Sequence, residues 1–152
     1  MTERIPIEKG ALLADLEVFK NAKALIIFAH GSGSSRLSSR NRFVAQALQK
    51  GGLATLLFDL LTEEEDRLYE NRFDIPLLVK RLMMAYKWAL LQKSVQGLPV
   101  GFFGASTGAA AALAARQGIT PDALDVAHLQ EHLRARGVPL QYADVGLRAR
   151  AG

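Results

Sequence analysis

The stretch LPVGFFGASTGAAAALAA, residues 98–115, decides the fold. Its first six residues form an apolar run of the length of a strand, and residues 109–115 are strong helix formers. Between these two runs, residues 104–108 read G-x-S-x-G. A strand, this motif and a helix in succession predict a sharp turn that exposes the hydroxyl of Ser106 above the carboxyl end of a sheet.

The residues around Ser106 fit such a turn for steric and electrostatic reasons. A side chain at Gly104 or Gly108 would clash with neighbouring backbone, so glycine is expected at both positions. The amide of Thr107, at the start of the helix, could donate to a developing oxyanion. The alternative is a tight turn in which Ser106 only caps the helix. The agreement of strand, motif and helix favours the nucleophile elbow.

A second candidate loop follows another apolar run. Residues 24–29, ALIIFA, are typical of a central strand that is buried on both faces, and HGSGSS follows at 30–35. Loops at the carboxyl ends of strands carry the ligands in α/β sheets. The backbone amide of Ser32 is therefore predicted as a second oxyanion donor, and His30 as a loop-fixing residue. The alternative is a solvent loop whose serines cap the next helix.

The rest of the chain alternates short apolar runs with amphipathic stretches. This rhythm predicts a three-layer α/β/α fold with a mainly parallel sheet. Helices are expected over residues 36–50 and 75–93, and strands over 53–58 and 98–103, with a weaker strand pattern at 11–19. The acidic segment 60–74 is expected to bridge to the next helix, with Glu63 to Asp66 as a solvated loop or a helix start and not a metal site. We expect one domain, residues 1–152, in which 118–152 form a divergent helix–strand tail.

Composition excludes several classes of protein. The chain has 152 residues, of which 49% are hydrophobic and 22% charged, as in a globular domain. It has no cysteine, which excludes disulfides and thiolate metal sites. It has no apolar window of the roughly 18 to 20 residues that a membrane span needs, and no export signal. A cytoplasmic protein without a membrane partner is therefore expected.

The net charge of +4 does not indicate a nucleic-acid partner. Basic residues cluster in residues 20–50 and acidic residues in 59–74, without a basic stripe interleaved with exposed aromatic rings. Arg36, Arg40 and Arg42 lie beside the second candidate loop. They could attract an anionic substrate, or form a solvated face.

Several strings resemble the α/β-hydrolase superfamily, and within it the dienelactone-hydrolase-like branch. In order and spacing these are FAHGSGSSR, SRNR, LATLLFDLLT, RFDI and GFFGASTGAAAAL, within residues 5–115. The resemblance implies the front half of an α/β-hydrolase fold and a serine hydrolase that acts on an ester or lactone carbonyl through an acyl-enzyme. It implies Ser106 as the nucleophile and the amides of Ser32 and Thr107 as the oxyanion hole.

The resemblance does not extend to the acid and the histidine of the triad. In α/β-hydrolases these follow the serine in the order acid, then histidine. The tail offers His128 as a candidate base. A helix that opens near Pro121, directly after the elbow helix, has no evident route back over the sheet. Weak or absent activity of this chain alone is therefore expected.

Two other classes of function stay open. A helix start after a glycine turn could bind a phosphate or nucleotide, although the spacing is not G-x-G-x-x-G. The chain could also be a non-catalytic α/β scaffold. His128 and His132 share a helical spacing, but two ligands are too few for zinc, so neither a metal nor a cofactor is expected. A truncated sheet would expose an edge through which a homo-oligomer could form.

Overall fold

The computed structural model describes residues 1–30 and 34–104. These residues form five strands, two α-helices of more than ten residues, and two short helices. In chain order they are β1 (Thr2–Ile7), β2 (Gly10–Glu17), β3 (Leu25–Ala29), α1 (Ser39–Lys50), β4 (Ala54–Phe58), α2 (Glu63–Asp66), a 3₁₀ helix (Tyr69–Phe73), α3 (Ile75–Leu91) and β5 (Val100–Gly104).

The strands form one mixed, mostly parallel sheet in the order β1-β2-β4-β3-β5. β2 pairs antiparallel with β1 and with β4, whereas β3 pairs parallel with both β4 and β5. β2 is thus the one described strand that runs against the others. The predicted mainly parallel sheet is confirmed.

The helices α1 and α3 cover opposite faces of this sheet. β3 and β4 are buried along their whole length, so alternate side chains of each strand enter two different clusters. Ala45 of α1 packs with Ile26, Phe28 and Leu57 in one cluster. On the other face, Leu82, Ala85 and Ala89 of α3 belong to the larger cluster. The predicted three-layer α/β/α arrangement is confirmed.

Helix boundaries follow local caps more than hydrophobic periodicity. α1 begins at Ser39, three residues later than predicted, because the hydroxyl of Ser38 caps it by accepting from the amide of Asn41. It ends as predicted at the glycine pair, where Gly52 has a positive φ of 85°. α3 begins at the predicted residue and ends at Leu91.

One strand was not predicted, and the acidic bridge follows the second of its two predicted alternatives, a helix start. β1 was not predicted, and its pattern is weak because Ile5 is its one fully buried residue. The acidic bridge contains α2, which is stabilised by a capping box between Thr62 and Glu65, followed by the 3₁₀ helix. Within residues 1–30 and 34–104, no helix combines the length and hydropathy required to cross a bilayer. The predicted tail, residues 118–152, lies outside the described residues.

Candidate functional site

Three strands of the sheet end next to one another. β3 and β5 are parallel neighbours, and Ala29 pairs with Gly104 at their carboxyl ends. β4 lies on the other side of β3 and is followed by Asp59. The loops that leave β3, β4 and β5 therefore start at one edge of the sheet, which is where α/β folds place their ligands.

The backbone of β5 approaches that of β3 very closely at Gly104. A Cβ atom at this position would lie 2.0 Å from the carbonyl oxygen of Ala29 and 2.9 Å from its carbonyl carbon. Non-bonded heavy atoms cannot approach so closely, so neither strand could keep its position with a larger residue here. The predicted steric reason for glycine at the start of the motif is confirmed for Gly104.

The predicted chemical groups of the site lie outside the described residues. This holds for Ser106, for the amides of Ser32 and Thr107, and for His128. The roles assigned to these four residues therefore stay predictions. The structure describes the ends of the strands that precede three of them. Ser32 follows the end of β3 by three residues, and Ser106 and Thr107 follow the end of β5 by two and three residues.

His30, the first residue after β3, is held by the chain that follows β4. Its Nε2 accepts a hydrogen bond from the backbone amide of Leu60, with a donor–acceptor distance of 3.0 Å. In this contact a neutral imidazole carries its proton on Nδ1, and Nε2 is occupied as an acceptor. The structure thus agrees with the prediction that His30 fixes its loop.

Arg36, at the far end of the same loop, is paired with two carboxylates. Its Nη1 lies 3.3 Å from Oδ2 of Asp15 on β2. Its Nε lies 3.3 Å from Oδ2 of Asp59 without the alignment of a hydrogen bond. The backbone amide of Arg36 donates to Oδ1 of Asp59 over 2.8 Å. Since the Arg36 side chain is only 12% exposed, it is not a solvated cation. The prediction of a solvated face was wrong for Arg36, whereas attraction of an anionic substrate stays a prediction.

One charged contact holds the acidic segment against α3, and a second lies within the segment itself. Glu65 accepts from the amide of Thr62 and pairs with Arg81 of α3, whose side chain is 8% exposed. Arg72 binds both carboxylate oxygens of Asp66, at 2.8 and 3.0 Å. Glu65 is thus paired with the body of the protein, whereas the side chain of Glu63 is 94% exposed and solvated as predicted.

A cavity of about 460 Å³ lies between the acidic segment and the loop that follows β3. Its wall combines leucines with charged side chains, several of which are already paired. The lining residues are Arg4, Ala11, Leu13, His30, Ser34, Ser35, Arg36, Leu37, Asp59, Leu60, Leu61, Thr62, Glu63, Asp66, Arg72 and Leu78. Ten of these sixteen residues are polar or charged, so the wall is more polar than the mostly apolar lining that is typical of a small-molecule pocket.

Sequence reasoning missed Asp15 and Asp59 as the partners of Arg36. The position of Asp59 could have been recognised, because an acid directly after a buried strand lies at the edge where α/β sites form. The pairing of Asp15 could not have been predicted from the sequence. Arg36 is 21 positions away, and the two residues meet only because β2 and β4 pair antiparallel.

Comparison with known proteins agrees with this architecture. No protein-family model matches the chain. A dienelactone hydrolase from Anabaena variabilis superposes with a TM-score of 0.70 at 47% sequence identity, over 76% of this chain and 55% of that protein. The chain is similar to the dienelactone-hydrolase-like α/β-hydrolases. The resemblance predicted from its motifs is confirmed. Est1E from Butyrivibrio proteoclasticus shares the fold. It superposes with a TM-score of 0.60 at 19% sequence identity, over 75% of this chain and 44% of the Est1E chain.

Two curated proteins of Mycobacterium tuberculosis are also similar to the chain. Both carry the name "Putative phosphoribosyl transferase" and are 56% identical over 100 residues, which is 66% of this chain. The matched part is 23% of each relative. The chain therefore spans about half of the dienelactone hydrolase and less than a quarter of these curated relatives.

Proposed function

We propose that this chain is an esterase-type serine hydrolase that cleaves an ester or lactone through an acyl-enzyme. One observation carries the proposal: Ala29 and Gly104 pair at the ends of parallel neighbouring strands. The two loops with the predicted chemistry leave the sheet from these two residues. The 47% identity with a dienelactone hydrolase supports the same assignment.

The proposed reaction begins at the hydroxyl of Ser106. Its oxygen attacks the carbonyl carbon while its proton passes to a general base, for which His128 is the candidate in this chain. The amides of Ser32 and Thr107 stabilise the oxyanion of the tetrahedral intermediate. The C–O bond to the leaving group then breaks, the leaving oxygen takes a proton, and water hydrolyses the acyl-enzyme to the acid and free Ser106.

The test is hydrolysis of a panel of aryl esters and small lactones by the purified chain. We expect slow turnover that is abolished by Ser106→Ala and reduced by His128→Ala, because a serine hydroxyl without a base is a poor nucleophile. Turnover that persists in Ser106→Ala would contradict the assignment of the nucleophile. Turnover unchanged in His128→Ala would require a base elsewhere in the chain or on a partner.

A phosphate- or nucleotide-binding module is the second candidate, and the name of the mycobacterial relatives favours it. More than three quarters of their length lies outside the matched part, so the named activity can reside there. We therefore rank the hydrolase first. Stabilisation by more than a few degrees on adding phosphoribosyl pyrophosphate or a nucleotide, without labelling of Ser106 by a fluorophosphonate, would reverse this order.

A homo-oligomer formed through a sheet edge is part of the proposal. β1 and β5 are the outer strands among the described residues, and unpaired outer strands favour pairing between chains. Light scattering on the purified chain is expected to give at least twice the monomer mass. A monomer at micromolar concentration would contradict this part of the proposal and leave the proposed reaction unaffected.

A further inference from the structure

We propose that residues 61–73 of the acidic segment form a hinged lid over the cavity, and that the ion pair between Glu65 and Arg81 is the latch that holds it closed. The lid would control the entry of small molecules into the cavity. Its position can be measured without any turnover, so its test is independent of the proposed hydrolase reaction.

The lid supplies part of the wall of the cavity. Five of the sixteen lining residues belong to it, and the others include residues of β1, β2 and the chain that precedes α1. The five are Leu61, Thr62, Glu63, Asp66 and Arg72. Movement of the lid away from α3 would therefore remove part of the wall and widen the entrance.

The lid has little contact with the core of the protein. No residue from 61 to 73 is buried, whereas Leu60, directly before them, is only 4% exposed. Three large apolar side chains of the lid are more than half exposed, those of Leu68, Tyr69 and Phe73. Segments with few buried apolar contacts open at a lower free energy than the core. We therefore expect the lid to leave α3 while the sheet stays folded.

Contacts inside the lid hold its two short helices together. Thr62 and Glu65 form the capping box of α2. The side-chain amide of Asn71, in the 3₁₀ helix, donates to the carbonyl of Glu65 over 2.8 Å. Arg72, also in the 3₁₀ helix, binds both carboxylate oxygens of Asp66 in α2. These contacts allow the lid to move as one unit.

Both ends of the lid are fixed to the rest of the protein. The amide of Leu60 donates to Nε2 of His30 over 3.0 Å. At the other end, Asp74 caps α3 by accepting from the amide of Leu77 over 3.1 Å. Neither contact involves residues 61–73, so both can persist when the lid opens. The chain next to these two fixed ends therefore serves as the hinges.

The latch joins the lid to α3 through groups that are shielded from water. The Arg81 side chain is 8% exposed and that of Glu65 24%. Glu65 binds Arg81 through Oε1 and the amide of Thr62 through Oε2. Nε of Arg81 is buried and has no hydrogen-bond partner among the described residues. Opening exposes this donor to water, which offsets part of the cost of separating the two charges.

The sequence suits a fluorescence measurement of the lid position, because it contains one tryptophan and no cysteine. Trp88 on α3 is the donor, and an AEDANS acceptor is attached to the thiol of Glu64→Cys, at an exposed position of α2. Arg81 lies about 10 Å from Trp88 along the helix axis, at 1.5 Å per residue. Release of the latch therefore moves the acceptor away from the donor and lengthens the donor lifetime.

Glu65→Gln removes the charge of the latch and keeps the capping box, which also accepts glutamine. We expect the equilibrium constant for opening to rise by about tenfold to a hundredfold, seen as a second, longer donor lifetime. Arg81→Met breaks the same ion pair from the other side and should open the lid in the same way. Glu63→Gln is the matched control, since it removes a charge from a 94% exposed side chain of the same helix, and it should keep the wild-type lifetimes.

Circular dichroism of the same samples separates opening of the lid from unfolding. A longer lifetime in Glu65→Gln and Arg81→Met, with a native spectrum, would support the lid. Lifetimes equal to wild type in both latch variants, or an equal change in Glu63→Gln, would overturn it. A longer lifetime that appears only with loss of the native spectrum would also overturn it. If Glu65→Gln does not fold, Arg81→Met is compared with Glu63→Gln.

Discussion

At the scale of single residues, the backbone of β5 approaches that of β3 closely at Gly104. We expect Gly104→Ala to lower the free energy of unfolding by about 3 kcal/mol or to prevent folding, because the added Cβ would lie 2.0 Å from the carbonyl oxygen of Ala29. Urea unfolding measures the change. The matched control is Gly51→Ala, where the nearest atom, the carbonyl oxygen of Leu48, lies 3.3 Å from the added Cβ.

The control is expected to change the free energy of unfolding by less than about 1 kcal/mol, since Gly51 has a negative φ that alanine also adopts. A Gly104→Ala protein as stable as the control would contradict the assigned contact between β3 and β5.

Individual residues of the site were predictable to different extents. The G-x-S-x-G motif after a strand predicted the need for glycine at 104, since a close approach at a strand end is a local property of the backbone. The pairing of Arg36 was not predictable in this way. Its partners, Asp15 and Asp59, lie 21 and 23 positions away along the chain and come together only in the folded sheet.

At the scale of elements, the contact between α2 and α3 depends on one partly buried ion pair. Glu65→Ala leaves the Arg81 guanidinium, on a side chain that is 8% exposed, without its carboxylate and also removes half of the capping box. We expect the free energy of unfolding to fall by about 2 to 4 kcal/mol. Chemical denaturation followed by circular dichroism measures this loss.

Substitution of the other partner of the ion pair, Arg81, is the informative control. Arg81→Met replaces the buried cation with an apolar side chain of similar length, while Glu65, 24% exposed, can be solvated. It should cost less than Glu65→Ala, by at least about 1 kcal/mol. Equal losses in the two variants would indicate that burial of the arginine is not the cause.

A second contact between elements predicts a pH dependence of stability. Lys80 of α3 hydrogen-bonds Glu8 in the β1–β2 turn over 2.6 Å and lowers the pKa of that carboxyl below its ordinary value of 4.5. A carboxyl whose pKa is lowered by folding stabilises the folded state above its unfolded pKa, and this contribution is lost as pH falls through the folded pKa.

We therefore expect Glu8→Gln to lower the melting temperature at pH 7, and the difference from wild type to disappear at pH values below the folded pKa of Glu8. Melting curves between pH 3 and pH 7 test this. Glu3→Gln is the control, because Glu3 has no ion pair among the described residues. A difference that stays constant over this range would contradict the assigned pairing of Glu8 with Lys80.

Helices and strands whose residues form a strong local sequence pattern were predicted, and those with a weak pattern were not. β3 is apolar along its whole length, and the glycine pair after α1 ends that helix where expected. β1 has one fully buried residue, Ile5, so its periodicity is too weak to recognise. The acidic segment is held by the contact of Glu65 with Arg81, which lies 16 residues away in sequence. No local sequence pattern predicts such a contact.

At the scale of the whole molecule, the sheet order brings the ends of β3, β4 and β5 to one edge. The mostly parallel sheet and the two covering helices followed from the alternation of patterns. The similarity to dienelactone-hydrolase-like proteins was predicted from the resemblance of strings such as GFFGASTGAAAAL. The partners of Arg36 and the anchoring of its loop required the folded structure. The central claim is the proposed chemistry, in which Ser106 acts as an activated nucleophile.

The most direct test is reaction of the purified chain with a fluorophosphonate, read by intact mass, with Ser106→Ala as the control. We predict a single adduct on the wild-type chain and none on the variant. A wild-type chain that is folded by circular dichroism but takes no label, or a Ser106→Ala chain that is labelled equally, would contradict the account.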